Sequence, residues 1–188
     1  MQSLHLNRPY AMMMVGIPGS GKSQFALKFA ETFSTPYIDS LMLETNAADD
    51  KAASELIGLV LGELVKTEKS FVFEGNSDTR IRRTEFAAWA RSKGYTPLFI
   101  WVQTDVSTSL ERTLRARSMT REEFAQSVKN FSPPHESEKP IVVSGKHTYA
   151  TQAKVVLKRL GEMNRSLPQA AAVRTNTTSS RTRSVPIR

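Results

Sequence analysis

Eight residues near the N-terminus carry the most specific chemistry in the chain. Gly16, Ile17, Pro18, Gly19, Ser20, Gly21, Lys22 and Ser23 fill every position of the pattern G-x-x-x-x-G-K-[ST]. Small residues let successive backbone N–H groups turn inward around an anionic phosphate, and the N-terminus of a following helix adds its positive end. Lys22 is placed to reach the β- and γ-phosphates of a nucleoside triphosphate, and the Ser23 hydroxyl to coordinate Mg²⁺. Gln24 follows directly and completes the nucleotide-contacting set. The pattern therefore predicts binding of a nucleoside triphosphate with Mg²⁺.

Other residues have the types needed to act on such a nucleotide. Asp39 ends a short apolar segment, where a carboxylate can take the proton of an attacking hydroxyl or simply cap the next helix. Glu74 ends the run Ser70-Phe-Val-Phe-Glu74 and is a candidate metal-orienting carboxylate, the alternative being a solvated strand end. Arg112, Arg115 and Arg117 stand close enough for two of them to approach one phosphate cluster, and a guanidinium fork suits the charge of a transferring phosphoryl group. Arg112 and Arg115 share a helix face, whereas Arg117 falls past the helix end. Asn76, Arg82 and Arg83 are candidates for touching an acceptor or for a surface role. The segment Gly145-Lys146-His147 is a candidate for holding the base of the nucleotide or is a loop with no such role.

These residues need a frame. Residues 10–17 (YAMMMVGI) form a continuous apolar run, read as a strand buried on both faces of a parallel sheet. A helix is predicted over 22–33, then a short strand at Tyr37-Ile38 and a helix within 46–66. In that helix Gly58 and Gly62 are expected to allow close packing on the sheet. A third strand follows at 70–74 and a helix at 79–92, closed by Gly94. Strand 97–103, helix 106–117, a helix over 120–130 with the capping box Thr120/Glu123, strand 140–144 and helix 148–163 complete the series. The alternation predicts an α/β fold, a doubly wound five-stranded parallel sheet with helices on both faces. It also places a small lid at about 112–135.

Composition narrows the class. The 188 residues suffice for one domain with its own core. No cysteine and three scattered histidines argue against thiolate or histidine metal sites. The longest apolar run is far below the roughly 18 residues of a membrane span, and the first ten residues lack a signal-peptide layout, so a cytoplasmic protein is expected. The net charge is +8, unevenly spread. Residues 80–121 hold nine basic and three acidic side chains, and residues 162–188 hold five arginines and one glutamate. Residues 1–163 are read as the domain and 164–188 as a disordered basic tail.

The form GxPGSGKS, followed by a short α/β chain, resembles the small P-loop kinases, especially the polynucleotide 5′-hydroxyl kinases and the zeta-toxin-like kinases. The likeness runs over residues 10–160. Phe71-Val-Phe-Glu-Gly-Asn76, Arg82-Arg83 and Gly94-Tyr95 resemble the third-strand region of the polynucleotide kinases, and Leu110-Glu-Arg-Thr-Leu-Arg-Ala-Arg117 resembles their lid entry. One departure is plain: the family pattern Asp-x-x-Arg fails here, because Met42 stands where the arginine belongs. The resemblance implies a P-loop NTPase fold and transfer of the γ-phosphoryl of ATP to a hydroxyl of a nucleotide, a nucleic acid end or a small molecule. The alternatives are a zeta-toxin-like sugar-nucleotide kinase and an ATP-binding regulatory or nucleic-acid-binding protein.

Overall fold

The apolar run at the start becomes the central strand of a sheet. In the computed structural model, which describes residues 6–165, strand β1 spans Tyr10–Val15 and all six residues are buried. It pairs in parallel with β3 (Phe71–Glu74) on one side and β4 (Thr96–Gln103) on the other. Strands β2 (Tyr37–Asp39) and β5 (Ile141–Ser144) pair outside these, giving the order β2-β3-β1-β4-β5, parallel throughout. The predicted five-stranded doubly wound α/β architecture is the observed one.

Side chains alternate across a strand, so β1 feeds two layers. Tyr10, Met12 and Met14 enter a layer with Phe25, Phe29 and Phe33 of α1 (Lys22–Phe33) and with Val156 and Leu160 of α7 (Tyr149–Arg165). Ala11, Met13 and Val15 enter the opposite layer, with Leu61 of α3 (Asp50–Val65) and Phe86, Ala87 and Ala90 of α4 (Arg80–Ser92). The methionines of β1 are core residues. Because the sheet is covered on both faces, the C-terminal ends of its strands become the edge where ligands of such folds bind.

Local signals set the helix starts. Asp49, Thr79 and Asp105 each cap a helix by accepting from a backbone N–H two or three residues inside it. Helix α5 covers Val106–Arg115, and α6 covers Arg121–Asn130 with the predicted Thr120/Glu123 capping box. No helix among the described residues is long and apolar enough to cross a membrane.

The helix predicted within 46–66 is α3, and a short helix that was not predicted, α2 (Ser40–Thr45), precedes it across a turn. One expectation is corrected. Gly58 and Gly62 do not pack closely on the sheet: a Cβ at either would meet nothing within 4 Å. Helix α7 runs two residues past Met163, and residues 166–188 of the expected tail lie outside the described residues.

Phe29 is fully buried, with ring centroids 5.5 Å from Phe25 and 4.7 Å from Phe33. Phe29→Ala is expected to cost about 3–5 kcal/mol in a denaturant melt. A loss below about 1 kcal/mol would contradict the packing of this layer.

Candidate active site

The chain leaves β1 through a loop that only glycine fits. Gly16, Gly19 and Gly21 have φ values of 147°, 71° and 105°, the left-handed side that a Cβ disfavours. Space is limiting as well. A Cβ on Gly16 would stand 2.6 Å from the Val102 carbonyl oxygen, and one on Gly19 would be 2.5 Å from Thr113 Oγ1 and would collide with the Ser109 carbonyl. The loop is thus wedged against the end of β4 and the face of α5 that carries Ser109 and Thr113. Ser20 N–H donates to the Ile17 carbonyl at 3.2 Å, and Thr104 Oγ1 donates to the Ser20 carbonyl at 2.9 Å.

Lys22 and Ser23 open α1 immediately after this turn. Lys22 Nζ lies back along the loop and donates to the carbonyls of Gly16 (2.9 Å) and Ile17 (3.1 Å). Its burial lowers the ammonium pKa below the ordinary lysine value, and the charges of Glu74 and Asp39 oppose that shift. Ser23 Oγ donates to Glu74 Oε1 at 3.0 Å, across 51 residues of sequence. Glu74 is therefore more than a solvated strand end. Its other oxygen accepts from the Tyr37 hydroxyl at 2.8 Å. Burial and the Glu74 charge push the Tyr37 pKa far up, so the phenol remains a donor. Gln24 is exposed on the first turn of α1.

Asp39 does both things its position allows. Its Oδ1 accepts from the Leu41 N–H at 3.0 Å and caps α2, while the residue also lines the cavity described next. That bond occupies one oxygen and leaves the second for a ligand. The cavity has a volume of about 340 Å³ and opens over the phosphate loop. Lys22, Ser23, Asp39 and Glu74 form one wall, Asn76 and Arg82 another, and Ser127, Asn130 and Phe131 at the end of α6 close it. The segment predicted as a lid thus supplies a wall of the site.

The arginines separate. Arg112 Nη1 donates to the Gly145 carbonyl at 3.1 Å and lies 4.0 Å from where a Cβ on Gly21 would stand. It is therefore bonded to the chain following β5 and stands beside the phosphate loop. Arg115, on the last turn of α5, and Arg117, beyond it with φ 51°, are exposed and do not line the cavity. Lys146 pairs with Asp105, and His147 is exposed. Arg82 Nη1 donates to Asn76 Oδ1 at 2.7 Å and lies 3.5 Å from Asp78 Oδ1. Arg83 neither faces the cavity nor lies on the surface. It is fully buried against Glu138, which corrects both roles considered for it.

Ser23 and Glu74 are hard oxygen donors of the kind that Mg²⁺ takes, and Mg²⁺ usually keeps several waters beside one or two carboxylates and substrate phosphates. The described residues hold no cluster of three or more His, Cys, Asp or Glu fit for a metal. A divalent cation here would therefore draw its remaining oxygens from nucleotide and water. The sequence reading missed Tyr37. Its signal was present: Tyr37 and Asp39 are two apart on a strand and so face the same way.

The sequence matches no family model and no curated protein. Solved structures do match. A gluconokinase from Sinorhizobium meliloti 1021 aligns over 84% of this chain and 94% of its own, with TM-score 0.64 and 18% identity. The fold is that of the P-loop kinases. The APS kinase of Mycobacterium tuberculosis, solved with AMPPNP and APS, aligns over 82% of this chain and 98% of its own, with TM-score 0.64 and 16% identity. Kti12 of Chaetomium thermophilum, solved with ADP-AlF3, aligns over 80% of this chain and 97% of its own, with TM-score 0.67 and 12% identity. The similarity to polynucleotide and zeta-toxin-like kinases therefore narrows to the P-loop kinase fold.

Gly19→Ala tests the loop. A thermal-shift titration with MgATP is expected to raise the melting temperature of the native protein and to leave that of the variant unmoved. An equal rise in both would show that the loop does not hold the nucleotide.

Proposed function

We propose that this protein is an ATP-dependent phosphotransferase that moves the γ-phosphoryl of ATP to a hydroxyl of a small, polar, negatively charged acceptor. The observation that carries the reading is the convergence of Lys22, Ser23, Asp39 and Glu74 on one cavity at the sheet edge. A volume of about 340 Å³ is at the small end for ligand pockets. It suits a small molecule or mononucleotide fragment better than a nucleic acid strand. The missing arginine after Asp39 points the same way.

In this reading the N–H groups of residues 16–23 bind the phosphates of ATP, and Lys22 swings from the Gly16 and Ile17 carbonyls toward the β- and γ-phosphates. Ser23 and Glu74 would hold Mg²⁺, which would supply positive charge beside the phosphate oxygens. Tyr37 keeps Glu74 aimed at that position. Arg82, with one Nη1 bond to Asn76, offers its remaining donors to the acceptor's anionic end.

The acceptor oxygen attacks the γ-phosphorus while the bond to the β,γ-bridging oxygen breaks. ADP leaves, and the hydroxyl proton passes to Asp39. Arg112 stands at the loop and stabilises charge on the nucleotide side. Arg115 and Arg117 serve only if the lid carries them inward.

The test is transfer of labelled γ-phosphate from MgATP to a panel of sugar acids, nucleosides, nucleotides, sugar nucleotides and 5′-hydroxyl oligonucleotides. Label is expected on a small anionic acceptor and lost with Lys22→Ala. Asp39→Asn should lower kcat by about 10²–10⁴-fold with ATP binding retained. Arg82→Gln should raise the acceptor KM while leaving the KM for ATP unchanged. ATP binding without label on any acceptor would instead favour a nucleotide-dependent binding module.

A further inference from the structure

One of the most completely bonded side chains among the described residues lies just behind the acceptor wall. Arg83 is 0% exposed and uses all five of its N–H donors. Nε and Nη2 donate to the two oxygens of Glu138 at 2.7 and 3.1 Å. Nη1 donates to the Ser77 and Ser132 carbonyls, both at 2.9 Å, and Nη2 also donates to the Pro133 carbonyl at 3.4 Å.

These acceptors belong to two separate segments. Ser77 lies in the loop after β3, whose residues Gly75, Asn76, Ser77 and Asp78 line the cavity. Ser132 and Pro133 follow Phe131, the lid residue that closes the same cavity. One further bond joins the segments directly, from the Ser132 N–H to the Asp78 carbonyl at 2.8 Å. Glu138 is itself fixed, because Oε1 accepts from the His135 N–H at 2.7 Å.

We propose that Arg83 is a positioning residue that locks the loop after β3 to the C-terminal root of the lid and so sets the width of the acceptor site. The inference rests on the phosphotransferase reading for its kinetic consequence, though not for the lock itself. Only an arginine fits this role. A planar fork with five donors can reach a carboxylate on one edge and carbonyls from two segments on the other, whereas a lysine ammonium has three donors at one point. The phosphate loop makes none of these bonds, so ATP binding should not depend on them.

Two conservative variants separate positioning from plain stability. Arg83→Lys keeps a charge opposite Glu138 but cannot bridge Ser77 and Ser132. Glu138→Gln keeps that bridge but leaves a buried guanidinium without its counter-charge, which is the more destabilising fault. Positioning therefore predicts opposite rankings. The melting temperature should fall more for Glu138→Gln, while the acceptor KM should rise more for Arg83→Lys, about 10-fold or greater, with the KM for ATP unchanged.

Hydrogen–deuterium exchange supplies a readout independent of turnover. In Arg83→Lys, amides of residues 75–78 and 131–135 should exchange faster together, the Ser132 N–H included, with residues 16–23 unchanged. Acceptor KM values that merely track melting temperature would overturn the positioning role. Independent exchange of the two segments, or unchanged exchange in both, would overturn the lock. If the native protein transfers phosphate to nothing while the two segments still loosen together, the phosphotransferase reading fails and the lock stands.

Discussion

The structure depends on how little room surrounds the phosphate loop. Gly16 meets the end of β4, Gly19 meets Ser109 and Thr113 of α5, and a Cβ on Gly145 would collide with the Ser20 carbonyl and with Thr104 Oγ1. Close-packed interiors do not deform continuously, so the loop's shape is imposed by three neighbouring elements. A loop held in one shape in this way would meet an anion with little reorganisation. The same constraint fixes α5. Its turns around Ser109 and Thr113 rest on Gly19, and Arg112 reaches across to the Gly145 carbonyl.

Charge in the cavity is balanced by the same tight geometry. Lys22 sits among backbone carbonyls with Glu74 and Asp39 nearby; burial works against its ammonium and the two carboxylates work for it. Glu74 is held from two sides, by Ser23 Oγ and by the Tyr37 hydroxyl. Behind the wall the balance is different. Burial alone would raise the Glu138 pKa, but the Arg83 and His135 hydrogen bonds and the Arg83 charge outweigh it and carry the net shift downward. A carboxylate whose folded-state pKa is depressed stabilises the fold at pH above its unfolded value, and that contribution is lost as pH falls through the folded one. The Arg83–Glu138 pair is therefore intact at neutral pH and is given up only on acidification.

What the sequence made legible was local. The strand before the glycine-rich loop, the helix after it and the Thr120/Glu123 box are decided by residues a few positions apart, and each stands as read. Asp39 was readable as a cap or as a site residue, and the structure has it as a cap that also lines the cavity. The failures were those of distance. Arg82 and Arg83 are adjacent and chemically identical, yet α4 turns one toward the cavity and buries the other against Glu138, 55 residues on. Gly58 and Gly62 were read as contacts from their spacing alone, but that face of α3 has nothing close to touch them. Helix α2 was missed because its six residues are too few to show a period; its start is set by the Asp39 cap.

Both ends of the segment 112–135 are therefore tied, though in different ways. At the entry, α5 packs against Gly19 and Arg112 bonds the Gly145 carbonyl, and the exit is bound to the loop after β3 through Arg83. Between them, Arg115 and Arg117 remain exposed, and Arg117 takes a left-handed φ of 51° at the break between α5 and α6. Helix α6 between these ties contributes Ser127 and Asn130 to the cavity wall, with Phe131 just past its end. The wall is thus held from both sides, once beside the glycine-rich loop and once beside the loop after β3, so its distance from Asp39 and Glu74 is set by bonds that lie outside the cavity.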